Sequence, residues 1–352
     1  MSLSAKLDAI LPSGPRLNRE HSRTSEDHLE WPRKFGLITD DEGVQRHRAG
    51  DYAELACRFY PTASGDDLDL GVDLMSWFFL FDDQFDGPLG SDSAKSQMLI
   101  TELEAVLEER QPATHSSAKT KIAIAFRDIW LRTCNPMPDH FIDRARQNWI
   151  GYFRGYLSET ETKLAGTQLS QSDYLAVRRS TIGVLPTLDM AERVTRSALP
   201  ARVNDAHIVS AQRNITIDVN VLFNDIASYT KELAIGELNN LVLIVAGSQD
   251  LGEIAAAARE ITQTAVYKIR EFTALCAAAD QHLSSIYDLS PADQQALKNY
   301  QQNALTTLIR GSLDWHRTSG RYKADFARDA AKRPHVDDLV TVSGDATLNQ
   351  NR

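Results

Sequence analysis

Three aspartates at the end of an aromatic stretch are the first residues in this sequence whose spacing suggests chemistry. The stretch Leu74–Phe81 is apolar and aromatic apart from one serine, and Asp82, Asp83 and Asp86 follow before a Gly-Pro pair. On a helix, Asp82 and Asp86 lie one turn apart on the same face. Because Gly-Pro ends a helix, the carboxylates gather at its negatively polarised C-terminus and repel one another unless a cation binds. Oxygen-only ligands of this density suit Mg²⁺, which completes its coordination with water and substrate phosphate.

A simpler interpretation of the same aspartates is that a buried helix ends in acidic residues exposed to solvent. A calcium-binding loop is excluded, because the twelfth position counted from Asp82 is Ser93 rather than the bidentate glutamate that such a loop needs. The magnesium hypothesis therefore requires a partner elsewhere in the chain.

A second set of oxygen-bearing side chains provides that partner. Asn224, Ser228 and Glu232 recur at every fourth position, so on a helix they form one column. An amide oxygen, a hydroxyl and a carboxylate are all hard donors suited to Mg²⁺. Alone, the column could be the polar face of a surface helix. Two such groups, each following an apolar segment, favour a shared metal site over either simple reading.

The elements around these motifs are predicted to be helices, because apolar residues recur at helical spacing and no run of alternating strands or fixed-period repeat is present. The predicted helices cover about 40–60, 65–86, 91–109, 116–135, 139 to beyond 156, 172–182, 200–232, 238–246, 251–283, 291–310 and 311–322. No linker divides the chain. We therefore expect one all-α domain over 1–332, with an irregular N-terminal segment at 1–30 and a disordered tail at 333–352.

Composition limits the class of protein. The chain has 352 residues, is 42% hydrophobic and 24% charged, and carries a net charge of -10. That charge argues against a nucleic-acid surface, which needs a basic stripe. No apolar run is long enough for a membrane span, and the first 18 residues do not resemble a signal peptide, so we expect a cytoplasmic protein. Three widely spaced cysteines indicate neither zinc nor a disulfide framework.

Together the two motifs resemble those of the bacterial class I terpene synthases, or terpene cyclases. The resemblance rests on Asp82–Asp86, on the NDxxSxxxE run from Asn224 to Glu232, and on Arg321-Tyr322 following Trp315. It implies a single class I terpenoid synthase α-helical bundle with a central apolar cavity. A chain-elongating prenyl transferase carries a second aspartate-rich motif instead of the asparagine-serine-glutamate column, and a class II cyclase needs a DxDD acid that Asp66–Asp69 does not match.

The resemblance also implies roles for individual residues. Asp82 would be the main ligand at a rim that holds two Mg²⁺, supported by Asp86, with Asp83 bonding basic neighbours. Asn224, Ser228 and Glu232 would hold a third Mg²⁺.

Further residues would act on the substrate. Arg178 falls where the family keeps a diphosphate-sensing arginine, with Thr181 as linker and Ile182 as the residue whose carbonyl faces the departing allylic carbon. The residues implied to hydrogen-bond diphosphate oxygens are Lys231, Arg321 and Tyr322. The aromatic residues that we expect to line the substrate pocket are Trp77, Phe78, Phe79 and Trp315, with core packing as the alternative for each.

The implied function is Mg²⁺-dependent ionisation of a linear prenyl diphosphate, followed by cyclisation of the cation and release of diphosphate. Farnesyl diphosphate is the leading substrate, which would make the product a sesquiterpene. Two alternatives stay open: a diterpene synthase that uses geranylgeranyl diphosphate, and a non-catalytic helical protein that binds a metal or a partner. Homodimers are common in the family, but the sequence identifies no interface.

Overall fold

The computed structural model describes residues 3–11, 14, 16–112, 116–166, 168–286, 289–322 and 338–341. Within these residues the secondary structure is helical, with no strand. The α-helices are α1 Leu3–Ile10, α2 His21–Asp27, α3 Glu30–Lys34, α4 Asp41–Gly50, α5 Tyr52–Phe59, α6 Gly65–Asp86, α7 Ser93–Val106, α8 Lys121–Cys134, α9 Asp139–Ala165, α10 Gln171–Thr181, α11 Val184–Val194, α12 Ala201–Asn204, α13 His207–Ile235, α14 Leu241–Ala246, α15 Leu251–Ile286, α16 Pro291–Tyr300 and α17 Thr306–Thr318. The predicted all-α class is confirmed.

Helices α6 and α13 carry the two motifs, and both are helical over the motif residues, as predicted. Helix α6 spans the predicted 65–86 and ends at Gly87, and α13 contains the whole column from Asn224 to Glu232. The predicted helix at 40–60 is instead two helices, because Asp51 adopts a left-handed conformation (φ 51°) and its carboxylate accepts the Glu54 N–H at the start of α5.

Helix α11 was not predicted, because Gly183 and Pro186 suggest a loop. Gly183 has φ 72°, which a residue with a side chain rarely adopts, and it separates α10 from α11. Pro186 is accommodated in the first turn of α11, where a helix does not need its backbone N–H. The 291–322 region also differs from the expected division at 310/311, since a π-helical turn at Gln301–Leu305 joins α16 to α17.

The structure describes parts of the N-terminal segment at 1–30 and of the tail at 333–352. Residues 1–30 contain α1 and α2, which pack on α15 and α5 and gain from tertiary contact the stability that short helices lack alone. Of the predicted tail, only 338–341 lies within the described residues. Leu339 is buried there, its N–H donates to Gln84 Oε1 (3.2 Å), and its carbonyl accepts the Ile122 N–H (3.2 Å). These four residues contact the helical body, and the rest of the predicted tail lies outside the described residues.

An apolar cavity lies between the central helices, with about 740 Å³ of empty volume including its opening. Seven helices of the described chain contribute to its walls: α5 through Leu55, α6 through Met75, α9 through Tyr152, α10 through Thr181, α11 through Val184, α13 through Asn220 and α17 through Leu308. Helices α6 and α13, which carry the two motifs, both form part of the cavity wall. The polar residues of each helix therefore lie near the opening of the cavity. In the described part of the chain, no helix has the length and hydrophobicity that crossing a bilayer requires.

Candidate active site

The carboxylates at the end of α6 form a cluster. Asp82, Asp83 and Asp86 each offer an oxygen within 4.8 Å of the others. Burial and, after it, the charge of Asp86 raise the pKa of Asp82 above its usual range. A bound cation would relieve this repulsion, so the donor set fits a divalent metal ion.

Hydrogen bonds from two other elements hold the cluster in place. The Tyr156 hydroxyl, on α9, donates to Asp82 Oδ1 (3.0 Å). Arg321 Nη2 lies 3.3 Å from Asp82 Oδ2 and 2.9 Å from Asp83 Oδ1, and its Nη1 donates to the Tyr52 hydroxyl (3.2 Å). Asp83 is therefore engaged with a cation from the C-terminal part of the chain, and Asp86 stays the more exposed carboxylate.

The second oxygen-bearing group lies along one face of α13. Asn240 Nδ2 donates to Ser228 Oγ (3.2 Å) and to Glu232 Oε2 (2.8 Å), while its Oδ1 accepts the Val242 N–H at the start of α14 (2.8 Å). Burial and the charge of Asp225 raise the pKa of Glu232 to about 7. Like Asp82, Glu232 would be stabilised as an anion by a cation beside it.

The two groups face the same opening. One polar mouth above the apolar cavity is lined by Asp82, Asp86, Asn224, Ser228 and Glu232. The same mouth is lined by Arg178, Lys231, Arg321 and Tyr322. Lys231 Nζ lies 3.8 Å from Asp86 Oδ2, which joins the α13 side of the mouth to the α6 side. Two oxygen-rich rims and several cations thus surround one space.

Arg178 lies between the mouth and the cavity. Its Nη2 donates to Asn224 Oδ1 (2.8 Å), and its Nη1 donates to Thr181 Oγ1 (3.4 Å). The Thr181 hydroxyl in turn donates to Glu159 Oε1 (2.6 Å). Ile182 lines the cavity where α10 ends, before the left-handed Gly183.

Tyr322 closes the same side of the mouth. Its hydroxyl accepts a hydrogen bond from Asn224 Nδ2 (3.2 Å), and its ring stacks on His316. The amide of Asn224 is therefore engaged by Arg178 at its oxygen and by Tyr322 at its nitrogen.

Three of the four expected aromatic residues line the cavity: Phe78, Phe79 and Trp315. Phe79 stacks on Tyr52, with ring centroids 4.2 Å apart, and the Arg321 guanidinium lies 4.9 Å from its ring centroid. The Trp315 indole N–H donates to the Gly50 carbonyl (3.0 Å), which fixes the ring against Phe79. These rings present fixed π-surfaces to the cavity.

Trp77 does not line the cavity, so that prediction is wrong. Its side chain is 0% exposed, it stacks on Phe81, and its indole N–H donates to the Ile122 carbonyl (2.9 Å). Trp77 and Phe81 share the face of α6 that packs on α8 and α9. On a helix that face is opposite to the one that carries Phe79 and Asp82.

Sequence reasoning missed a stripe of site residues on α9. Tyr152, Tyr156, Glu159 and Lys163 follow one another at spacings of four, three and four, so they share one helix face toward the cavity and its mouth. Lys163 Nζ donates to the Phe85 carbonyl (3.4 Å) beside the acidic cluster. The helical spacing of these polar and aromatic residues is the sequence signal from which this face of α9 could have been predicted.

Asn240 and His316 were also missed. Asn240 precedes an apolar run as a helix cap, and its contact with the metal-ligand candidates is a matter of tertiary structure. His316 Nδ1 lies 2.7 Å from the Ser312 carbonyl, and burial lowers the His316 pKa to about 4, so the ring is neutral near pH 7. Neither residue has a distinctive spacing in the sequence.

The fold and site define a class of enzyme: a helical bundle whose apolar cavity opens between two groups of oxygen-bearing side chains. Comparison with known proteins agrees. The family model described as "Terpene synthase family 2, C-terminal metal binding" matches residues 73–269. Pentalenene synthase from Streptomyces exfoliatus is 43% identical over 334 residues, covering 95% of this chain and 97% of that protein.

Two further matches extend the comparison. The (-)-beta-caryophyllene synthase of Saccharothrix espanaensis is 33% identical over 95% of this chain and 94% of its own length. The crystal structure of linalool/nerolidol synthase from Streptomyces clavuligerus superimposes with a TM-score of 0.76 at 27% identity, over 87% of this chain and 99% of that one. The chain belongs to the bacterial class I terpene synthases. The predicted family, fold and enzyme class are confirmed.

Proposed function

We propose that this terpene synthase ionises farnesyl diphosphate in the presence of Mg²⁺ and cyclises the resulting cation to a sesquiterpene. The observation that carries the proposal is the single mouth at which both oxygen-rich rims meet above an apolar cavity. The caryophyllene synthase relative is named as an enzyme that cyclises (2E,6E)-farnesyl diphosphate, which supports the C15 substrate for this chain.

The proposed metal content is three Mg²⁺ ions. Asp82 and Asp86 would hold two of them, and Asn224, Ser228 and Glu232 would hold the third. The donors are all oxygen atoms, as Mg²⁺ prefers, and the raised pKa values of Asp82 and Glu232 are those of carboxylates that a nearby cation would stabilise. When bound, the ions supply Lewis-acid stabilisation of the leaving diphosphate.

The chain's own cations would share that stabilisation. Arg178, Lys231 and Arg321 surround the mouth, where each is now paired with an oxygen of the rims. Metal binding to the rim carboxylates would leave these cations available to the diphosphate oxygens. Charge-assisted hydrogen bonds are strong in a water-poor site, so they oppose the attraction that holds the allylic cation to its leaving group.

Once the cation has formed, the apolar walls would protect it from water. Phe78, Phe79 and Trp315 present aromatic rings to the cavity, and a well-placed ring stabilises a nearby cation by about 0.5 to 2 kcal/mol. The backbone at Ile182 borders the cavity beneath Arg178, which suits the predicted role of its carbonyl beside the departing carbon. Leu55, Met75, Val184 and Leu308 add apolar surface, which helps to exclude water from the cation.

Substrate competition tests the proposal. Purified protein is incubated with Mg²⁺ and equimolar C10, C15 and C20 prenyl diphosphates, and organic extracts are analysed by gas chromatography with mass spectrometry. We expect cyclic C15 products, with the C15 substrate consumed at least about tenfold faster than either competitor. Preferential consumption of the C20 compound would make the chain a diterpene synthase, and no conversion of any substrate would contradict the proposal.

Three further expectations stay predictions. They are the extent of a single domain over 1–332, the cytoplasmic location and the homodimer.

A further inference from the structure

A primary amide borders the cavity below its polar mouth. Asn220 is on α13, four residues before Asn224, and therefore about 5.4 Å further down the helix. It is 5% exposed, and it borders the cavity together with aliphatic side chains such as Met75, Val184 and Leu308. A primary amide among such neighbours needs an explanation, because burying an unpaired polar group is costly.

The hydrogen bonding of Asn220 shows which end of the amide faces the cavity. Its Nδ2 donates to the Thr216 carbonyl one turn earlier (2.8 Å), which fixes the amide group against the helix. Among the residues that the structure describes, no hydrogen bond reaches its Oδ1. This oxygen is not among the unpaired side-chain atoms that are fully shielded from solvent, so it retains some accessible surface. Because the side chain borders the cavity, we infer that Oδ1 faces it.

Other polar groups at this level are paired. Thr187 Oγ1 donates to the Gly183 carbonyl (2.8 Å), and Ser312 Oγ lies 3.3 Å from His316 Nδ1. Within the described residues, Asn220 therefore differs from its polar neighbours, because its free oxygen is directed toward the space that the hydrocarbon would occupy.

The geometry points to Asn220 as a product-determining residue, whose carbonyl oxygen stabilises a carbocation intermediate in the lower cavity. This inference rests on the proposed cyclisation of a prenyl cation. An amide dipole is about 3.5 D, and its negative end acts strongly on a nearby cation when no water screens it. The amide is neutral and weakly basic, so it can stabilise positive charge without removing a proton.

The expected consequence concerns the order of events in the cavity. With Oδ1 in place, positive charge is favoured in the lower cavity for long enough to continue cyclisation. Without it, deprotonation of earlier cations competes better, and acyclic and monocyclic products increase. Ionisation at the mouth should continue, because Asn220 is not among the residues that line the polar mouth.

The test compares Asn220→Leu with Asn220→Ala. Leucine keeps the approximate size of asparagine but has no carbonyl, while alanine removes the carbonyl and also enlarges the cavity. Thr262→Val on α15 is the matched control, because Thr262 is buried and bonds only the Ala258 carbonyl within its own helix. For each protein, the products from farnesyl diphosphate are quantified, together with released diphosphate, KM and thermal unfolding.

We expect the ratio of the main cyclic product to the summed acyclic and monocyclic products to fall about tenfold in both Asn220 variants. That change corresponds to about 1.4 kcal/mol. Diphosphate release should continue, KM should stay within about threefold of wild type, and Thr262→Val should keep the wild-type ratio. Circular dichroism identifies any variant that fails to fold. If one of the two Asn220 variants does not fold, the product ratio is measured on the other.

Several results would overturn the inference. A wild-type product ratio in folded Asn220→Leu would show that the carbonyl has no role, and a change confined to Asn220→Ala would assign the effect to shape. Loss of a terpene alcohol with an unchanged carbon skeleton would mean that Asn220 holds a water molecule instead. These outcomes are distinct from failure of the proposed function, in which wild-type protein itself makes no product from any prenyl diphosphate.

Discussion

Replacing Asn240 should weaken metal binding, although this residue is not itself a proposed metal ligand. Its Nδ2 lies 3.2 Å from Ser228 Oγ, 2.8 Å from Glu232 Oε2 and 3.0 Å from the Asp225 carbonyl. Its Oδ1 caps α14 by accepting the Val242 N–H. One buried amide therefore orients two proposed ligands of the third Mg²⁺ and also stabilises the start of a helix.

The magnitudes follow from these contacts. In Asn240→Ala, loss of the cap costs about 1 kcal/mol. The amide has two N–H bonds, which its three acceptors share, so the equivalent of two hydrogen bonds is lost at about 0.5 to 1.5 kcal/mol each, and the free energy of unfolding should fall by about 2 to 4 kcal/mol. Loss of a residue that orients metal ligands typically weakens metal affinity 10- to 100-fold. We therefore expect the half-saturating Mg²⁺ concentration to rise by about that factor.

The assay measures turnover of farnesyl diphosphate over a series of buffered free Mg²⁺ concentrations, with urea unfolding in parallel. Thr120→Ala is the matched control, since Thr120 Oγ1 caps α8 by accepting the Ala123 N–H and does not line the polar mouth. It should lose about 1 kcal/mol of stability and keep the wild-type Mg²⁺ dependence. If folded Asn240→Ala shows a half-saturating Mg²⁺ concentration within twofold of wild type, Asn240 is only a helix cap and the reasoning is refuted.

Two further predictions concern the aromatic core and a buried histidine. Trp77→Phe should lower the free energy of unfolding by about 1 to 3 kcal/mol through lost packing and a lost hydrogen bond, yet leave the product profile unchanged in gas chromatography; an altered profile would return Trp77 to the cavity wall. Burial lowers the pKa of His47 to about 3, so the unfolded chain binds the extra proton below about pH 6.5, and stability is lost as pH falls. Between pH 6.5 and pH 5 this costs about 2 kcal/mol. Urea unfolding of His47→Phe should show a correspondingly shallower pH dependence, and identical slopes would refute the assignment.

The two proposed metal-binding groups were predictable because each lies toward the end of a long helix and has an unambiguous spacing. Asp82 and Asp86 follow an apolar run that Gly87 ends, and Asn224, Ser228 and Glu232 repeat at the spacing of one helical turn. The helical spacing of these residues is enough to predict that each group shares one face of its helix. That the two faces meet at one mouth was predicted from the pairing of the two groups and from the resemblance to a family, because no local rule relates residues so far apart in the chain.

The error at Trp77 has a physical cause. From Leu70 to Phe81 every residue of α6 except Phe79 is buried, so this part of the helix has no polar face. Hydrophobic periodicity distinguishes a buried face from an exposed one, but it does not distinguish two buried faces. The sequence therefore could not show which aromatic residues face the cavity and which pack on α8 and α9.

Residues that act through tertiary contacts were also out of reach. Asn240 is an ordinary helix cap in sequence, and only the fold brings its amide to Glu232. The predicted helices leave 183–199 without an element, whereas in the structure α11 starts directly after the left-handed Gly183. Short sequence patterns do not show which residues face one another across a cavity.

Counting the bound metal ions tests the central claim most directly, namely that the α6 aspartates and the α13 column act together on one diphosphate. Mn²⁺ can replace Mg²⁺ in such oxygen-ligand sites, and electron paramagnetic resonance measures the Mn²⁺ that remains free. With saturating inorganic diphosphate, we predict three Mn²⁺ per wild-type chain and two in Glu232→Gln. Three ions in Glu232→Gln, or no more than one in the wild-type protein, would contradict the account.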